Sequence, residues 1–434
     1  MPRRRSSSLQ ILLNGRRLGQ LNRASNWAID FQYDRDWLAW EHAIPVSLSI
    51  PLSDRRYTGG PVTAVFENLL PDNDQVRRRV AEKLGAEGTD AYSLLSLIGR
   101  DCVGALQFVA QGEDPAQIGT IEAEPVSNDD IAHILANLAN APLGLKSDDA
   151  FRISIAGVQE KTALLWWNER WNKPIGATPT THIFKPQIGR LPNGIDLSHS
   201  VENEHFCLSL MRELGLPTAL TEMAIFGDRP VLIVTRFDRQ SARDGRILRR
   251  PQEDMCQALS IPPTMKYEDH GGPGIQPIME LLAGSDAPDE DRAHFMRSMI
   301  IFWLIGATDG HAKNFSIFLT PGARFRFTPA YDVLSADPSL AAGQINQRQM
   351  RLAMAIGDRR RYRVSDICPR HFIQTAVRAS YSEEAMRGIF QDLRQRGPAA
   401  LEAAIAAMPD AVHSAVVDPI AQAFTKRLMQ IDLL

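Results

Sequence analysis

An aspartate at 309, an asparagine five positions on at 314 and a second aspartate at 332 each sit beside an apolar run of this 434-residue chain. The stretch reads Asp309-Gly-His-Ala-Lys-Asn314-Phe-Ser-Ile-Phe-Leu319, followed by Tyr331-Asp332. These residue types suit phosphoryl transfer of the protein-kinase kind. One carboxylate orients an attacking hydroxyl and accepts its proton, while a carboxamide and a second carboxylate hold magnesium on the nucleotide phosphates. Such chemistry is mostly positioning and charge neutralisation, so short rigid loops suffice. The Asp-x4-Asn spacing arises by chance in many chains this long; its weight comes from the order of what precedes it.

Ser154-Ile-Ala-Gly157-Val-Gln-Glu-Lys161 lies between two expected strands, where a glycine turn can bring backbone N–H groups to phosphates. It matches neither G-x4-G-K-[ST] nor G-x-G-x-x-G, and a plain β-turn is the competing reading. Lys185 ends a strand-like run, where an ammonium can reach nucleotide phosphates, and Glu204 on the following helix can pair with it. An ordinary strand-end lysine and a solvated helix glutamate are the plainer alternatives. Val234-Thr-Arg-Phe-Asp238 leaves the sheet where a hinge would offer backbone groups to adenine, or where an Arg–Asp pair is purely structural. His311 reads as loop packing more readily than as a base, and Asp332 alone would be a turn cap. Turn, strand lysine, helix glutamate, hinge strand, Asp-x4-Asn and Asp together follow the order of a kinase active site.

Composition permits this chemistry and excludes some others. With 44% hydrophobic and 23% charged residues the chain is ordinary for a globular protein, long enough for two domains or a bilobal one. The net charge of −3 conceals basic clusters at Arg3–Arg5, Arg77–Arg79 and Arg359–Arg361, which read either as solvated arginines or as contacts to nucleic acid. Cys102, Cys207, Cys256 and Cys368 are scattered and form no C-x-x-C pair, against a zinc site or a disulfide scaffold. No signal-peptide-like stretch begins the chain, and its longest apolar run, Met299–Ala307, is too short for a bilayer span. A cytoplasmic protein is expected.

The elements that must position these residues follow from periodicity. Leu9–Leu13, the turn Asn14-Gly15 and Arg16–Leu21 predict a hairpin. Strands are expected at 46–50, 104–109, 151–155, 162–167, 181–185 and 230–236. Helices are expected at 74–84, 129–140, 200–214, 289–306 and from Glu383 onward. Strands before helices give an α+β class.

On these residues the chain resembles the HipA family of serine/threonine-kinase toxins. The resemblance is carried by Phe151–Leu165, Pro179–Lys185, Arg236-Phe-Asp-Arg239, Pro251–Gln257, Leu304–Phe315 and Tyr331-Asp332, and also by Asn68-Leu-Leu-Pro-Asp72 and Ile98-Gly-Arg-Asp101. It runs from about residue 9 to near 410. It implies a protein-kinase-like bilobal fold with a small β-rich N-terminal lobe and a larger all-helical C-terminal lobe. The implied division is 1–110 as a β-rich N-terminal domain, 111–150 as a connector with a helix, 151–240 as the sheet lobe and 241–434 as the helical lobe. It implies Asp309 as proton acceptor and Asn314 and Asp332 as Mg2+ ligands. For ATP it implies Ala156, Gly157, Val158, Gln159, Glu160 and Lys161 as phosphate loop, Lys185 on the phosphates, and Thr235, Arg236 and Phe237 at the adenine hinge. His311, Ala312, Lys313, Asn314, Tyr331 and Asp332 complete the ATP-binding set, and Ser154 matches an autophosphorylated serine that switches the kinase off. The implied partners are a helix-turn-helix antitoxin dimer of the HipB kind and operator DNA, reached through Arg359–Arg363 and Arg370–Arg378. The implied substrate is a translation component such as an aminoacyl-tRNA synthetase. Val158, the flanks in Phe184-Lys185-Pro186 and the individual stretch Gln344–Arg363 are the departures. A small-molecule phosphotransferase and a catalytically silent corepressor are the competing functions; intact Lys185, Asp309, Asn314 and Asp332 count against the latter.

Overall fold

Asn14 and Gly15 both adopt left-handed backbone (φ 49° and 82°), the geometry of a two-residue hairpin turn, and so join β1 (Ser7–Leu13) to β2 (Arg16–Arg23). The computed structural model describes residues 7–110, 112, 120–145, 153–157 and 159–433. With β3 (Ile29–Tyr33), β4 (Tyr57–Thr58) and β5 (Leu106–Ala110), the hairpin forms an antiparallel sheet in the order β4-β3-β2-β1-β5. Helices α1 (Arg35–Leu38), α2 (Gly60–Glu67), α3 (Asp74–Leu84) and α4 (Ala91–Ile98) belong to the same unit, whose core joins Ile11, Leu21 and Phe31 to Val65, Phe66, Leu95 and Phe108. The Asn73 side chain caps α3 and left-handed Gly85 ends it.

A second antiparallel sheet follows, ordered β12-β13-β9-β7-β8-β6. Its strands are β6 (Ala123–Pro125), β7 (Thr162–Trp167), β8 (Arg170–Pro174), β9 (His182–Pro186), β12 (Thr221–Phe226) and β13 (Arg229–Thr235), with β10 (Gly189–Arg190) and β11 (Asp196–Leu197) as a side hairpin. Because side chains alternate along a strand, each face finds its own helix. Phe184, Val231 and Ile233 pack with Ile131 and Leu135 of α5 (Asn128–Ala136), whereas Leu232 and Val234 pack with Val201 of α6 (Ser200–Glu213). Lys185, next to Phe184, therefore points to the α6 side.

The remainder is built on a large apolar core centred on α9 (Pro288–Leu304), which carries Phe295, Met299, Ile300 and Trp303. Around it lie α7 (Met255–Ala258), α8 (Ile275–Leu282), α10 (Asp337–Ala341), α11 (Pro369–Arg378), α12 (Glu383–Ala406) and α13 (Asp418–Leu428). No single helix among the described residues is long and apolar enough to cross a membrane.

The α+β class and the helical C-terminal part are as expected, but three element assignments need correction. The C-terminal lobe is not all-helical: β14 (Arg239–Ser241) pairs β15 (Ile247–Arg249), β17 (Ser316–Thr320) lies between β16 (Gln252–Asp254) and β18 (Arg324–Phe327) and pairs both, and β19 (Arg351–Ile356) pairs β20 (Arg361–Arg363). Ser316-Ile-Phe-Leu319 leaves the Asp-x4-Asn turn extended and finds its ladder partners there. Residues 46–50 form a turn, with the Ile50 N–H on the Ser47 carbonyl, and the hydroxyls of Ser47 and Ser49 reach the Gln257 carbonyl instead of leaving the backbone to pair. Of the strand expected at 151–155, the described residues 153–155 join no sheet; the Ser154 N–H donates to the Asp101 carbonyl. Phe151, Arg152, Val158 and Arg3–Arg5 lie outside the described residues.

Candidate active site

Lys185 is where the sheet lobe meets the helical one. Its Nζ lies 2.7 Å from Glu204 Oε1 on α6 and 2.7 Å from Asp332 Oδ1. Burial disfavours the ammonium, but Asp332 and Glu204 outweigh it and raise its pKa. Burial likewise opposes ionisation of Asp332, yet Lys185 and Lys161 hold the carboxyl far below the usual range. Glu204, more deeply enclosed, is pushed up by burial despite Lys185. Asp332 also has φ 59°, a left-handed backbone that a non-glycine residue adopts at a cost and that aims its carboxylate from the turn into the cleft.

The Asp-x4-Asn segment begins where α9 stops. Gly306 turns the chain with φ 63°, and Gly310 is required because a Cβ there would sit 2.4 Å from the Phe302 ring. Asp309 is exposed, with its Oδ1 accepting the Tyr267 hydroxyl at 2.5 Å. Asn314 is buried, and its Nδ2 donates to the Asp309 carbonyl at 3.0 Å and the Asp332 carbonyl at 3.2 Å. One carboxamide thus joins the two aspartate-bearing turns and keeps Oδ1 free to accept. Asn314 Oδ1 and the Asp332 carboxylate are hard oxygen donors that fit Mg2+, which takes one or two protein ligands and completes its octahedron with phosphate and water. No cluster of three or more His, Cys, Asp or Glu among the described residues is placed to hold a metal by itself.

The phosphate-loop candidates form a tight turn. Gly157 has φ 109°, and a Cβ on it would lie 2.5 Å from Lys161 Nζ. Lys161 donates to the Ala156 carbonyl at 2.8 Å, and Gln159 Nε2 to the Pro186 carbonyl at 2.9 Å, beside the Lys185 strand. Burial, reinforced by Lys185 and partly offset by Asp332, pushes the Lys161 ammonium down to about 8. Ser154 is fully buried and donates to the Leu69 carbonyl at 2.7 Å.

Other candidates fall differently. Phe237 and Tyr331 meet with ring centroids 5.7 Å apart beside Phe318, forming an aromatic wall next to Thr235. Thr235 and Arg236, however, spend their N–H groups on the carbonyls of Leu220 and Thr181. The Arg236 guanidinium turns away into a buried knot with Asp101, Asp238 and Thr180, so its side chain is structural. Lys313 also leaves the cleft: its buried ammonium contacts the Asn68 carbonyl, Asn68 Oδ1 and Asp254 Oδ2. Glu160 faces outward to Arg79 at 3.2 Å. His311 and Ala312 are buried, the His311 ring meeting Tyr267 edge-on at 4.9 Å. Arg77, read from sequence as part of a basic cluster, is buried against Glu67 and the Pro71 carbonyl.

Sequence reading missed Tyr267 and Lys266, which sit in a Gly/Pro-rich stretch without periodicity. It quoted Asn68–Asp72 without a role, and that segment turns out to line the site.

Residues 9–109 match the HipA N-terminal domain, and residues 153–401, more than half the chain, match the HipA-like C-terminal domain. Y4mE of Sinorhizobium fredii, a protein named as a kinase, is 34% identical over 357 residues, which cover 81% of each chain. The serine/threonine-protein kinase toxin HipA of Shewanella oneidensis is 29% identical over 366 residues, covering 81% of this chain and 79% of that one. The solved HipA–HipB–operator DNA complex from Shewanella oneidensis contains a chain that superposes with a TM-score of 0.82 at 25% identity, over 98% of both chains. Sequence, fold and the assembled cleft agree, and the chain belongs to the HipA family.

Proposed function

We propose that this protein is the toxin of a toxin–antitoxin pair, an ATP- and Mg2+-dependent kinase that phosphorylates serine or threonine on another protein. The observation that carries the reading is the convergence of Lys185, Glu204 and Asp332 with Asn314 as the link to an exposed Asp309. In this reading Lys185 and Lys161 hold the ATP phosphates, with the 156–161 turn around them, and the Phe237–Tyr331 wall takes the adenine. Mg2+ on Asn314 and Asp332 neutralises the charge that builds on the transferred phosphoryl group. Asp309 orients the acceptor hydroxyl and takes its proton. The two family matches, at 9–109 and 153–401, support an N-terminal domain at 1–110 and a connector at 111–150; within the second match the proposal places a sheet lobe at 151–240 and a helical lobe at 241–434.

Ser154 is the autophosphorylation site in this proposal. Its hydroxyl is enclosed against a carbonyl, so it must leave that seat to be phosphorylated. A phosphate of about −1.5 to −2 charge cannot return there, and the loop stays open and inactive. The partners proposed are a helix-turn-helix antitoxin related to HipB and, through it, operator DNA in autorepression, in the cytoplasm. The substrate proposed is an aminoacyl-tRNA synthetase or another translation component. Support for the pair comes from the complex in which the Shewanella oneidensis relative was solved.

Intact-mass analysis of wild type and Asp309→Ala after incubation with ATP and Mg2+, with peptide mapping, tests the reading. A single phosphate on Ser154 of wild type alone is expected. Nucleotide binding with no phosphate on either protein would overturn the kinase and leave a corepressor.

A further inference from the structure

The segment Asn68–Asp72 belongs to the N-terminal domain, yet it touches the phosphate-loop turn, the catalytic turn and Lys266. Asn68 receives Lys313 of the catalytic turn on its carbonyl at 3.0 Å and on its Oδ1 at 2.8 Å. Leu69 accepts the Ser154 hydroxyl. Pro71 bridges Gly157 in parallel fashion, and the Asp72 N–H donates to the Gly157 carbonyl at 3.1 Å. The Asp72 carboxylate accepts from Lys266 at 2.9 Å and stands 3.7 Å from Lys313. Lys266 takes the Ala312 N–H on its own carbonyl at 3.2 Å and precedes Tyr267, whose hydroxyl donates to Asp309. Residue 72 therefore holds the phosphate loop with its main chain and the Asp309 region with its side chain.

The chemistry of the contacts suggests why they are there. Asp72, Lys266 and Lys313 have side chains exposed by 10% or less, and charges so enclosed add little stability over an apolar trio of the same shape. What directional, charged bonds add is a defined relative position of two loops. We infer that Asn68–Asp72 is a clamp and Asp72 its positioning residue. It sets the closed place of the phosphate loop and its register with the catalytic turn, so the N-terminal domain is a working part of the nucleotide site. The inference rests on the kinase reading above. It also means that release of Ser154 from Leu69 loosens the loop at Gly157 and, through Asp72, the footing of Lys266 and Lys313.

The test uses the full chain with Asp72→Asn, which keeps the shape and removes the charge, after a melting curve establishes folding. Amide hydrogen exchange at position 72 and at 153–157, measured without nucleotide, is expected to speed up by about tenfold or more, and Mg·ATP affinity by calorimetry to weaken by about tenfold. Lys266→Gln should do the same, with the pair non-additive in a double-mutant cycle. Unchanged exchange with unchanged affinity in a folded variant, or strict additivity, overturns the clamp. If Asp72→Asn does not fold, Lys266→Gln removes the same ion pair from its other end and carries the comparison alone. Because exchange is read without nucleotide, a wild type that fails to bind ATP refutes the kinase reading and leaves the clamp to be decided by exchange.

Discussion

Replacing Lys185 with Met leaves Glu204 and Asp332 facing each other without their cation. Glu204 has 3% of its side chain exposed and Asp332 37%, so water screens the second and hardly reaches the first. Breaking a buried pair by removing one partner costs about 3–5 kcal/mol; with Asp332 discounted for its exposure, the lower end, about 3 kcal/mol, applies. Unfolding entropy of about 2.1 cal/mol/K per residue over 434 residues is about 0.9 kcal/mol/K, so Tm should fall by about 3 °C in scanning calorimetry near pH 7.5. The pH dependence follows from the two carboxylates. Asp332, held low by its lysines, contributes stability that is present above the ordinary carboxylate range and lost as pH falls. Glu204, pushed up by burial, costs stability as pH rises through that range, and Lys185 limits the cost. Removing Lys185 weakens the first, leaving Asp332 to Lys161, and enlarges the second, so the deficit is full near neutrality and shrinks toward about pH 4.5. Phosphotransfer should drop on the order of 100-fold or more, since a preorganised charge on the phosphates is lost. An unchanged Tm at neutral pH, or a deficit that grows on acidification, would refute the reasoning.

Lys161, pushed down to about 8, loses its charge as pH rises through that value; ATP affinity by calorimetry should fall between about pH 7 and 9, and Lys161→Met should bind weakly with a flat profile. A wild-type profile that is flat over the same range would count against Lys161 as a phosphate ligand. Tyr267→Phe keeps the ring against His311 and removes the donor to Asp309, so kcat should fall by about tenfold or more while ATP affinity and Tm stay near wild type. Equal kcat in the two proteins would rule out a positioning role for that hydroxyl.

Much of the site was legible because its residues carry signals on a short scale. Asp309, Asn314 and Asp332 stand at turns beside apolar runs, and Lys185 beside Phe184 on a strand with two buried faces could only point toward the α6 side. Lys313 and Arg236 were misplaced for the opposite reason. A basic residue inside a functional motif looks like a ligand; the nearby Asp238 made a structural pair with Arg236 the legible alternative, but nothing local reveals the distant carboxylates of Asp254, waiting on Lys313, and Asp101, waiting on Arg236. Residues 46–50 alternate like a strand, but serine hydroxyls and a distant partner helix decided their shape. Small sheets such as β16–β17–β18 join segments more than 60 residues apart, which periodicity does not register.

Asp101 has a consequence for the order in which the chain is made. It is 1% exposed and meets Arg236, Arg239 and Arg249, while its Oδ2 also accepts from Thr180. Arg249 lies 148 positions downstream, so at about 5–20 residues per second a ribosome needs roughly 7–30 s after adding Asp101 to supply the last of these cations. Until Arg236 is added, the carboxylate has none of these three arginines, and the full set is complete only with Arg249. A nascent chain stopped before residue 236 thus lacks all three arginines that meet Asp101 in the finished fold, so the last turn of the N-terminal domain is completed by residues made much later.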